Sequence, residues 1–370
     1  MDMERVLGVY AGYSLKEDGG EGVSVKEDQM AEVLASALNE IEYCMGTCNT
    51  YYGNLRAQHG HPAPFAINYV EIGNEDAGSG SYPKRFKYLY DGIKARYPNI
   101  TIISTAYDEN PDYKIDLPKG SIYDLHDYRE PSFMLTERFN FFDNWQQDTN
   151  NSDVTIMVGE YSVPEVDEPT GLVNFNFSDP KLAGLHVFDP SVYSAVAEAV
   201  YLLAMERNPN LVRFSAFAPS LGNMNLWQWK PDLITFDASP SHTVKSVSFY
   251  VQKLFNQYRG THTISVKNTA GDFNPMYWVA TIDEAINVVY LKVVNTLNAS
   301  VPLGVSLDQK VNSVNGTIIT DTNASRYNYI NDREAVIPRP VDLPSDALAA
   351  NGSLGWSVPA FSITVFQFGI

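Results

Sequence analysis

The sequence is poor in positive charge, in cysteine and in long apolar runs. Its 370 residues include 26 Lys and Arg against 44 Asp and Glu, so the formal net charge is −18. This charge argues against nucleic acid as a partner, because a protein that binds phosphates needs a basic face. No run of roughly 18 apolar residues occurs, so no membrane-spanning helix is predicted. A content of 44% hydrophobic residues is typical of a globular protein.

Cysteine is limited to Cys44 and Cys48, which are too few for a disulfide framework or a zinc site. Their spacing permits a small disulfide loop, and two free thiols fit the sequence equally well. No motif for a metal ion or an organic cofactor is present, and none is expected.

Glycosylation sequons are frequent and indicate a secreted glycoprotein. They occur at seven positions, namely Asn99, Asn150, Asn176, Asn298, Asn315, Asn323 and Asn351. The N terminus, Met1-Asp2-Met3-Glu4-Arg5, carries no signal peptide. Either the protein is not secreted, or this chain lacks its true beginning; in the second case we expect an extracellular location for the full-length protein.

Short apolar runs alternate with helical patterns over the first two-thirds of the chain. The nearly continuous hydrophobicity of these runs predicts strands buried on both faces of a parallel sheet. The predicted strands are 6–12, 67–73, 100–106, 122–127, 154–160 and 211–218. The predicted helices are 26–43, 82–97, 132–147, 191–207 and 241–258. Repeated β–α units of this kind predict a doubly wound sheet or a (β/α) barrel.

The residue pattern of the sequence changes at about Gly260. Short alternating segments such as 277–282, 285–294 and 361–368 are separated by spacers rich in Asn, Gly, Ser and Pro. This pattern predicts an all-β sandwich. We therefore predict an α/β domain over 1–259, either a doubly wound sheet or a (β/α) barrel, and a β-sandwich domain over 260–370.

Acidic residues cluster where the strand 67–73 ends. The cluster contains Glu71, Glu75 and Asp76, with Asn74 among them. In β/α barrels the active site is built at the carboxyl ends of the strands. The alternative is a helix N-terminus, with Asn74 or Asp76 as the cap and acidic residues in the first turn.

A second carboxylate, Glu160, ends another predicted buried strand within Val158-Gly159-Glu160-Tyr161. Two carboxylates on one rim of a barrel suit glycoside hydrolysis, in which one protonates the departing oxygen and the other attacks the anomeric carbon or activates water. A carboxyl group buried beside another acid has a raised pKa, so the pair can divide into a neutral acid and an anion.

Three strings together resemble the family 51 glycoside hydrolases, which are α-L-arabinofuranosidases. They are YVEIGNED from Tyr69, VGEY from Val158 and WKPDLI from Trp229. The segments AGYS from Ala11 and VPAFS from Val358 match as well, so the resemblance spans nearly the whole chain. It implies a (β/α)8-type TIM barrel followed by an all-β sandwich.

The resemblance implies a catalytic pair. Glu75 would be the general acid/base at the end of the family's fourth barrel strand, and Glu160 the nucleophile at the end of its seventh. Retention of configuration is expected, with the two carboxyl groups roughly 5–5.5 Å apart. The implied reaction removes terminal non-reducing α-L-arabinofuranosyl residues from the side chains of arabinan and arabinoxylan, without a metal or other cofactor.

The resemblance also implies residues that bind the sugar. Asn74 would hydrogen-bond the 2-hydroxyl as the transition state forms. His126 and Tyr128 match a His-x-Tyr pair after the family's sixth strand, and Tyr128 could donate to Glu160; a rim histidine bonded to a carbonyl is the alternative for His126. The last four candidates could line the sugar pocket or serve only as loop residues. They are Asn223, Asn225, Gln228 and Trp229.

The chain departs from the family at its beginning. Its first predicted strand matches the family's third, so the barrel is expected to be incomplete, with about six strands and two bare edges. A fragment of a longer secreted enzyme is the simplest explanation. The alternatives are another retaining glycosidase of the same clan with a different sugar preference, or an inactive fragment that binds carbohydrate. A homo-oligomer is compatible with the family.

Overall fold

A computed structural model describes residues 4–14, 22–105, 115–149, 153–163, 189–225, 230–269, 271–344, 347–349 and 352–370. The described chain divides into two compact units. The first comprises the described parts of Met1–His126, Asn151–Gly159 and Arg213–Ser215, and the second comprises those of Asp127–Asn150, Glu160–Val212 and Ala216–Ile370. The boundary at residue 260 that we expect from the sequence stays a prediction.

A six-stranded sheet follows the predicted runs in chain order. Its strands are β1 (Val6–Val9), β2 (Tyr69–Ile72), β3 (Thr101–Ser104), β4 (Ile122–Tyr128), β5 (Thr155–Ser162) and β6 (Val212–Phe217). Pairing from β1 through β4 is parallel. The predicted parallel sheet is therefore confirmed, and the strand order β1 to β6 leaves it open over the described residues.

One side chain from each of the six strands meets in a single apolar cluster. Its members are Val6, Tyr69, Ile103, Ile122, Met157 and Phe214. The rings of Tyr69 on β2 and Phe214 on β6 lie edge to face, with centroids 4.7 Å apart. Because β2 and β6 are not neighbours in the sheet, this contact requires the sheet to curl around its core. The incomplete barrel predicted from the sequence is confirmed in this curled form.

Three helices belong to the first unit: α1 (Met30–Met45), α2 (Tyr51–Gln58) and α3 (Tyr82–Arg96). The sequence predicted α1 and α3 but missed α2, which is mostly polar and buries only Gly53 and Arg56. The Arg56 guanidinium is completely buried and donates to four backbone carbonyls between 2.7 and 3.1 Å. The small remaining elements of this unit are a strand pair, Tyr13–Ser14 with Val23–Ser24, and the short turns Glu27–Gln29 and Asp76–Ser79.

Both cysteines are free thiols, so the disulfide alternative is wrong. The thiol of Cys48 donates to the carbonyl oxygen of Pro62 at 3.3 Å. Burial raises the pKa of the Cys44 thiol, with Glu40 adding to the effect. Cys44 is therefore held in its protonated, less reactive form.

The second unit contains the helices α4 (Phe141–Thr149), α5 (Val192–Arg207) and α6 (Val247–Gln257). The continuous helix predicted over 132–147 is wrong, because a short helix (Pro131–Phe133) and a π turn (Met134–Arg138) precede α4. We attribute the wide turn to Arg138 at its end, whose guanidinium lies 2.9 Å from the buried carboxylate of Asp127. A small three-stranded sheet and a 3-10 turn were also missed. They are formed by Leu221–Asn223, Ile234–Phe236 and Val244–Lys245, and by Pro240–His242.

The predicted all-β sandwich is confirmed. Its strands are β7 (Met276–Asp283), β8 (Val288–Asn295), β9 (Val301–Val305), β10 (Ser313–Thr320), β11 (Leu354–Val358) and β12 (Ser362–Gly369). One antiparallel sheet has the order β7-β8-β12-β10, flanked by the two-residue strands His262–Thr263 and Arg339–Pro340. β9 and β11 form a second antiparallel pair, and apolar side chains from both sheets make one core.

Helix α5 is buried along almost its whole length. Thirteen of its 16 residues are buried. A helix must be apolar on all sides when it is covered on all sides. The covering here includes the sandwich strands β7 and β8, to which Glu206 of α5 adds an ion pair with the buried Lys292 at 2.5 Å. No helix in the described part of the chain is long and apolar enough to cross a membrane.

Helix α5 runs antiparallel to β5. Tyr161 on β5 contacts the ring of Tyr201, and Val163, just after β5, donates its N–H to Glu198 at 3.4 Å. Moving forward along the strand therefore means moving backward along the helix. The N-terminus of α5, capped by the Ser191 side chain, consequently lies beyond the carboxyl end of β5.

Glu198 is an ionisable residue in the apolar interior of α5. It is completely buried, and this burial raises the pKa of its carboxyl group from 4.5 to about 8. Burial penalises the charged form of the group. Glu198 is therefore protonated at neutral pH in the folded chain.

We predict that Glu198→Gln makes the chain less sensitive to alkaline pH. Because the pKa is raised in the folded chain, the contribution of Glu198 to stability is fully present below pH 4.5. It is lost as the pH rises from 4.5 towards 8, because in this range the carboxyl group of the unfolded chain releases its proton while that of the folded chain keeps it. At pH 7 the loss is up to about 3 kcal/mol, and the neutral amide avoids it. Thermal denaturation at several pH values should show the melting-temperature gap between variant and wild type widening from pH 5 to 8.

The matched control is Glu137→Gln, which alters an exposed carboxyl in the π turn. Its melting temperature should follow that of the wild type at every pH. A gap between Glu198→Gln and the wild type that is constant from pH 5 to 8 would contradict a protonated Glu198.

Candidate active site

The loop after β2 holds Glu75 in an unusual backbone conformation. Glu75 has a φ of +54°, in the left-handed region that residues other than glycine seldom adopt. Its N–H donates to the hydroxyl of Thr105 at 2.6 Å, a bond that supports this conformation. Such backbone strain concentrates at functional sites.

The neighbouring acid, Asp76, has a structural part in the same loop. It is buried, pairs with Arg85 at 2.8 Å and accepts the N–H of Asn74 at 3.2 Å. The next helix, α3, has Ser81 at its N-cap position, so the alternative in which Asn74 or Asp76 caps it is wrong. Asn74 and Glu75 are both exposed.

Glu75 is hydrogen-bonded to His126 of β4. Its Oε1 lies 2.8 Å from Nδ1, and Nε2 of the same ring lies 2.7 Å from Oδ2 of Asp124. Each ring nitrogen thus faces a carboxyl oxygen, an arrangement that suits the protonated ring, the imidazolium. Asp124, His126 and Glu75 thus form a hydrogen-bonded array. Their side chains are 1%, 14% and 55% exposed, respectively, so the array leads from the interior to the surface.

The array lowers the pKa of the Glu75 carboxyl group. The hydrogen bond from His126 is the largest cause, and the charge of the imidazolium acts in the same direction. Burial and the nearby carboxylate of Asp124 oppose the shift without reversing it. Glu75 is consequently held as a carboxylate in the free protein.

Asp124 also contacts β5. Its Oδ1 accepts the N–H of Gly159 at 2.9 Å, and a Cβ atom at position 159 would lie 2.2 Å from this oxygen. Only glycine fits there without movement of the carboxylate. We missed Asp124 in the sequence, although it stands two residues before His126, and alternate residues of a strand share a face.

Glu160, the next residue of β5, is bonded to Tyr128. The Tyr128 hydroxyl donates to Oε2 of Glu160 at 2.6 Å, which is the bond predicted from the sequence. Asp127, between His126 and Tyr128, faces the other way and is paired with Arg129 and Arg138. Because side chains alternate between the two faces of β4, His126 and Tyr128 lie on the face of the candidate site, whereas Asp127 lies on the other face with its arginine partners.

The remaining predicted pocket residues lie after β6. Asn223 ends a short strand, and its Oδ1 accepts the N–H of Asn225 at 3.0 Å, so this pair closes a turn. Both residues are exposed. Gln228 and Trp229 lie outside the described residues, and nothing in the described part tests their predicted contact with sugar.

Residue types that bind metal ions are present in the array, but their atoms are already engaged. Both ring nitrogens of His126 face carboxylates, so a metal ion bound to either nitrogen would have to displace Glu75 or Asp124. The arrangement is suited to holding and moving a proton.

Two family models match the chain. The α-L-arabinofuranosidase 1 domain matches residues 1–147, and the α-L-arabinofuranosidase C-terminal domain matches residues 159–362, which is more than half of the chain. An arabinose-bound family 51 α-L-arabinofuranosidase has a TM-score of 0.80 at 29% identity, covering 98% of this chain and 54% of its own. An arabinose complex of the Thermotoga maritima enzyme, at 16% identity and a TM-score of 0.69 over 91% of this chain and 73% of its own, shares the fold.

Curated fungal proteins are similar over almost the whole chain. α-L-Arabinofuranosidase A of Aspergillus niger is 34% identical over 367 residues, which cover 97% of this chain and 52% of the relative. A probable α-L-arabinofuranosidase A of Aspergillus terreus is 32% identical over 99% of this chain and 52% of its own length. The chain thus spans about half the length of the curated relatives it matches. By domain matches, sequence and fold, it belongs to the family 51 α-L-arabinofuranosidases.

Proposed function

We propose that this chain carries the catalytic centre of a retaining α-L-arabinofuranosidase. The proposal rests on two glutamates, Glu75 after β2 and Glu160 on β5, each of which is hydrogen-bonded to a side chain of β4. His126 is bonded to Glu75, and Tyr128 is bonded to Glu160. Membership of the family supports the assignment of Glu75 as acid/base and Glu160 as nucleophile.

In the first step Glu160 attacks the anomeric carbon of the terminal sugar. The hydroxyl of Tyr128 donates to Oε2 of Glu160 and so orients the carboxylate for this attack. The bond from the anomeric carbon to the glycosidic oxygen breaks as Glu75 gives that oxygen a proton. The products are a covalent glycosyl–enzyme and the shortened chain with a free hydroxyl.

In the second step the Glu75 carboxylate takes a proton from water. The resulting hydroxide equivalent attacks the anomeric carbon and releases Glu160, so two inversions give net retention. The anionic form of Glu75 that His126 favours is the form this step requires. The first step requires the protonated form, which is populated in acidic solution.

The substrate of the proposed reaction is a terminal non-reducing α-L-arabinofuranosyl residue on arabinan or arabinoxylan. The exposed amide of Asn74, next to Glu75, would bond the sugar 2-hydroxyl, an interaction that strengthens in an oxocarbenium-like transition state. Asn223, Asn225, Gln228 and Trp229 stay candidates for the pocket wall. We further propose that the protein acts outside the cell, with 1–259 as catalytic domain and 260–370 as sandwich.

We predict that Glu160→Gln abolishes hydrolysis of 4-nitrophenyl α-L-arabinofuranoside, because an amide cannot form the glycosyl ester. Glu75→Gln should lower the rate by about 10²–10⁴ on arabinoxylan, whose leaving alcohol needs a proton. Its effect on the aryl substrate should be smaller, because nitrophenolate leaves without one. Nitrophenol release and arabinose release measure the two reactions.

The exposed Glu137→Gln serves as the control variant for these assays and should retain full activity. Cleavage of an aryl xyloside or glucoside in preference to the arabinofuranoside would contradict the proposed substrate. An active Glu160→Gln variant would contradict the proposed nucleophile.

We also predict that His126→Asn moves the alkaline limb of the kcat/KM profile to higher pH. His126 lowers the pKa of Glu75, so the protonated acid is lost at a lower pH than for an unpaired glutamate. The amide of Asn keeps a neutral donor but removes the positive charge, and the pKa of Glu75 then rises. An alkaline limb that stays in place while activity falls equally at all pH values would mean that His126 has only a structural role.

Finally, Gly159→Ala should lower the free energy of unfolding by about 1–3 kcal/mol, since the new methyl group would overlap the carboxylate of Asp124. Gly8→Ala is the matched control, because Gly8 lies in β1 of the same sheet and has no atom within 4 Å of its Cβ position. That change should be neutral or stabilising by up to about 1 kcal/mol. Equal urea midpoints for both variants would contradict the tight contact at Gly159.

A further inference from the structure

The segment between β10 and Arg339–Pro340 presents a pair of aromatic side chains to solvent. Tyr327 and Tyr329 are each 38% exposed, and their ring centroids lie 5.6 Å apart with the planes inclined by 52°. Ile330, equally exposed, extends the apolar surface. We call these three residues the tyrosine surface.

A buried asparagine fixes the tyrosine surface in place. Asn328, between the two tyrosines, is 3% exposed. Its amide donates to the carbonyls of Lys245 and Val336 at 2.9 Å each, and its Oδ1 accepts the N–H of Val336 at 2.8 Å. Because Asn328 is satisfied in the interior, its two neighbours are held at the surface, and little conformational entropy remains to be lost on binding.

The turn that follows is equally well bonded. The backbone groups of Tyr329 and Asp332 bond each other in both directions, at 2.9 and 3.2 Å. The side chain of Asp332 forms an ion pair with Arg326, and the guanidinium of Arg333 donates to the carbonyl of Ser241. The tyrosine surface is therefore preformed.

The same segment is attached to the N-terminus of α5. The N–H groups of Val192 and Tyr193 donate to the carbonyls of Arg326 and Ala324, at 2.9 Å each. This end of α5 lies beyond the carboxyl end of β5, the strand that carries Glu160. The tyrosine surface is thus on the side of this unit towards which the proposed nucleophile strand points.

We propose that the tyrosine surface binds the uncharged backbone of an arabinose-substituted polysaccharide, an inference that rests on the proposed function. Aromatic faces offer apolar area to the C–H faces of sugar rings, and tyrosine keeps a hydroxyl for the wet edge. The net charge of −18 disfavours an anionic polymer, whereas a neutral glycan meets no such repulsion.

The test is affinity electrophoresis of the full chain in native gels that contain wheat arabinoxylan or sugar-beet arabinan. The double variant Tyr327→Ala/Tyr329→Ala should lose at least three-quarters of the retardation that the wild type shows in one of these gels. Its rate on 4-nitrophenyl α-L-arabinofuranoside should stay within twofold of the wild type, because this substrate has no polymer backbone. Tyr327→Phe/Tyr329→Phe keeps the ring faces and should restore most of the retardation.

Tyr88→Ala is the control for loss of an exposed tyrosine, since Tyr88 on α3 is 44% exposed. It should leave the retardation unchanged. Equal retardation of the Ala double variant and the wild type, or no retardation of the wild type in either gel, would overturn the inference.

Two further readouts separate the remaining explanations. A change in elution volume of the Ala double variant on size exclusion, with unchanged retardation, would make the tyrosine surface a contact between copies of this chain and would overturn polysaccharide binding. A wild type that is retarded in the gel but hydrolyses no arabinofuranoside would defeat the proposed function and leave the binding surface standing.

Discussion

The arrangement at the candidate site depends on the buried carboxylate of Asp124. One of its oxygens bonds His126 and the other bonds the N–H of Gly159. A buried carboxyl group needs hydrogen-bond partners, and the His126 ring and the N–H of Gly159 supply them. Asp124 thereby positions the ring that is bonded to Glu75, and by its closeness it excludes a side chain at Gly159. A single carboxyl group thus connects two strands to the proposed acid.

The supporting structure around Glu75 is rigid. Its strained backbone is braced by Thr105 on one side, and by Asp76 and Arg85 within the loop on the other. A site held in this way loses little entropy when substrate arrives and keeps its geometry between the two steps of a double displacement. The same logic applies to Glu160, which sits within a strand rather than on a loop. The conformation of each carboxylate is thus set by the fold around it.

The sequence predicted the strands because their nearly continuous hydrophobicity is a local pattern. The roles of Glu75 and Glu160 stay predictions, and the bond from Tyr128 to Glu160 was implied by the family resemblance. Helix α2 escaped prediction because its stability comes from Arg56, which bonds carbonyls outside the helix. Asp124 escaped because its partner Gly159 belongs to another strand. Features stabilised by tertiary contacts leave little trace in local periodicity.

The burial of α5 on every side has an evolutionary consequence. In many polysaccharide-degrading enzymes, accessory modules hang on linkers and can be gained or lost without harm to the catalytic part. Here β7 and β8 cover one flank of a helix whose other flank packs against Tyr161, next to Glu160. Loss of these strands would expose the apolar side chains of α5 to water and would leave Glu206 without its partner Lys292. Helix α5 and the strands β7 and β8 therefore depend on each other, and neither can be removed without exposing the buried surface of the other.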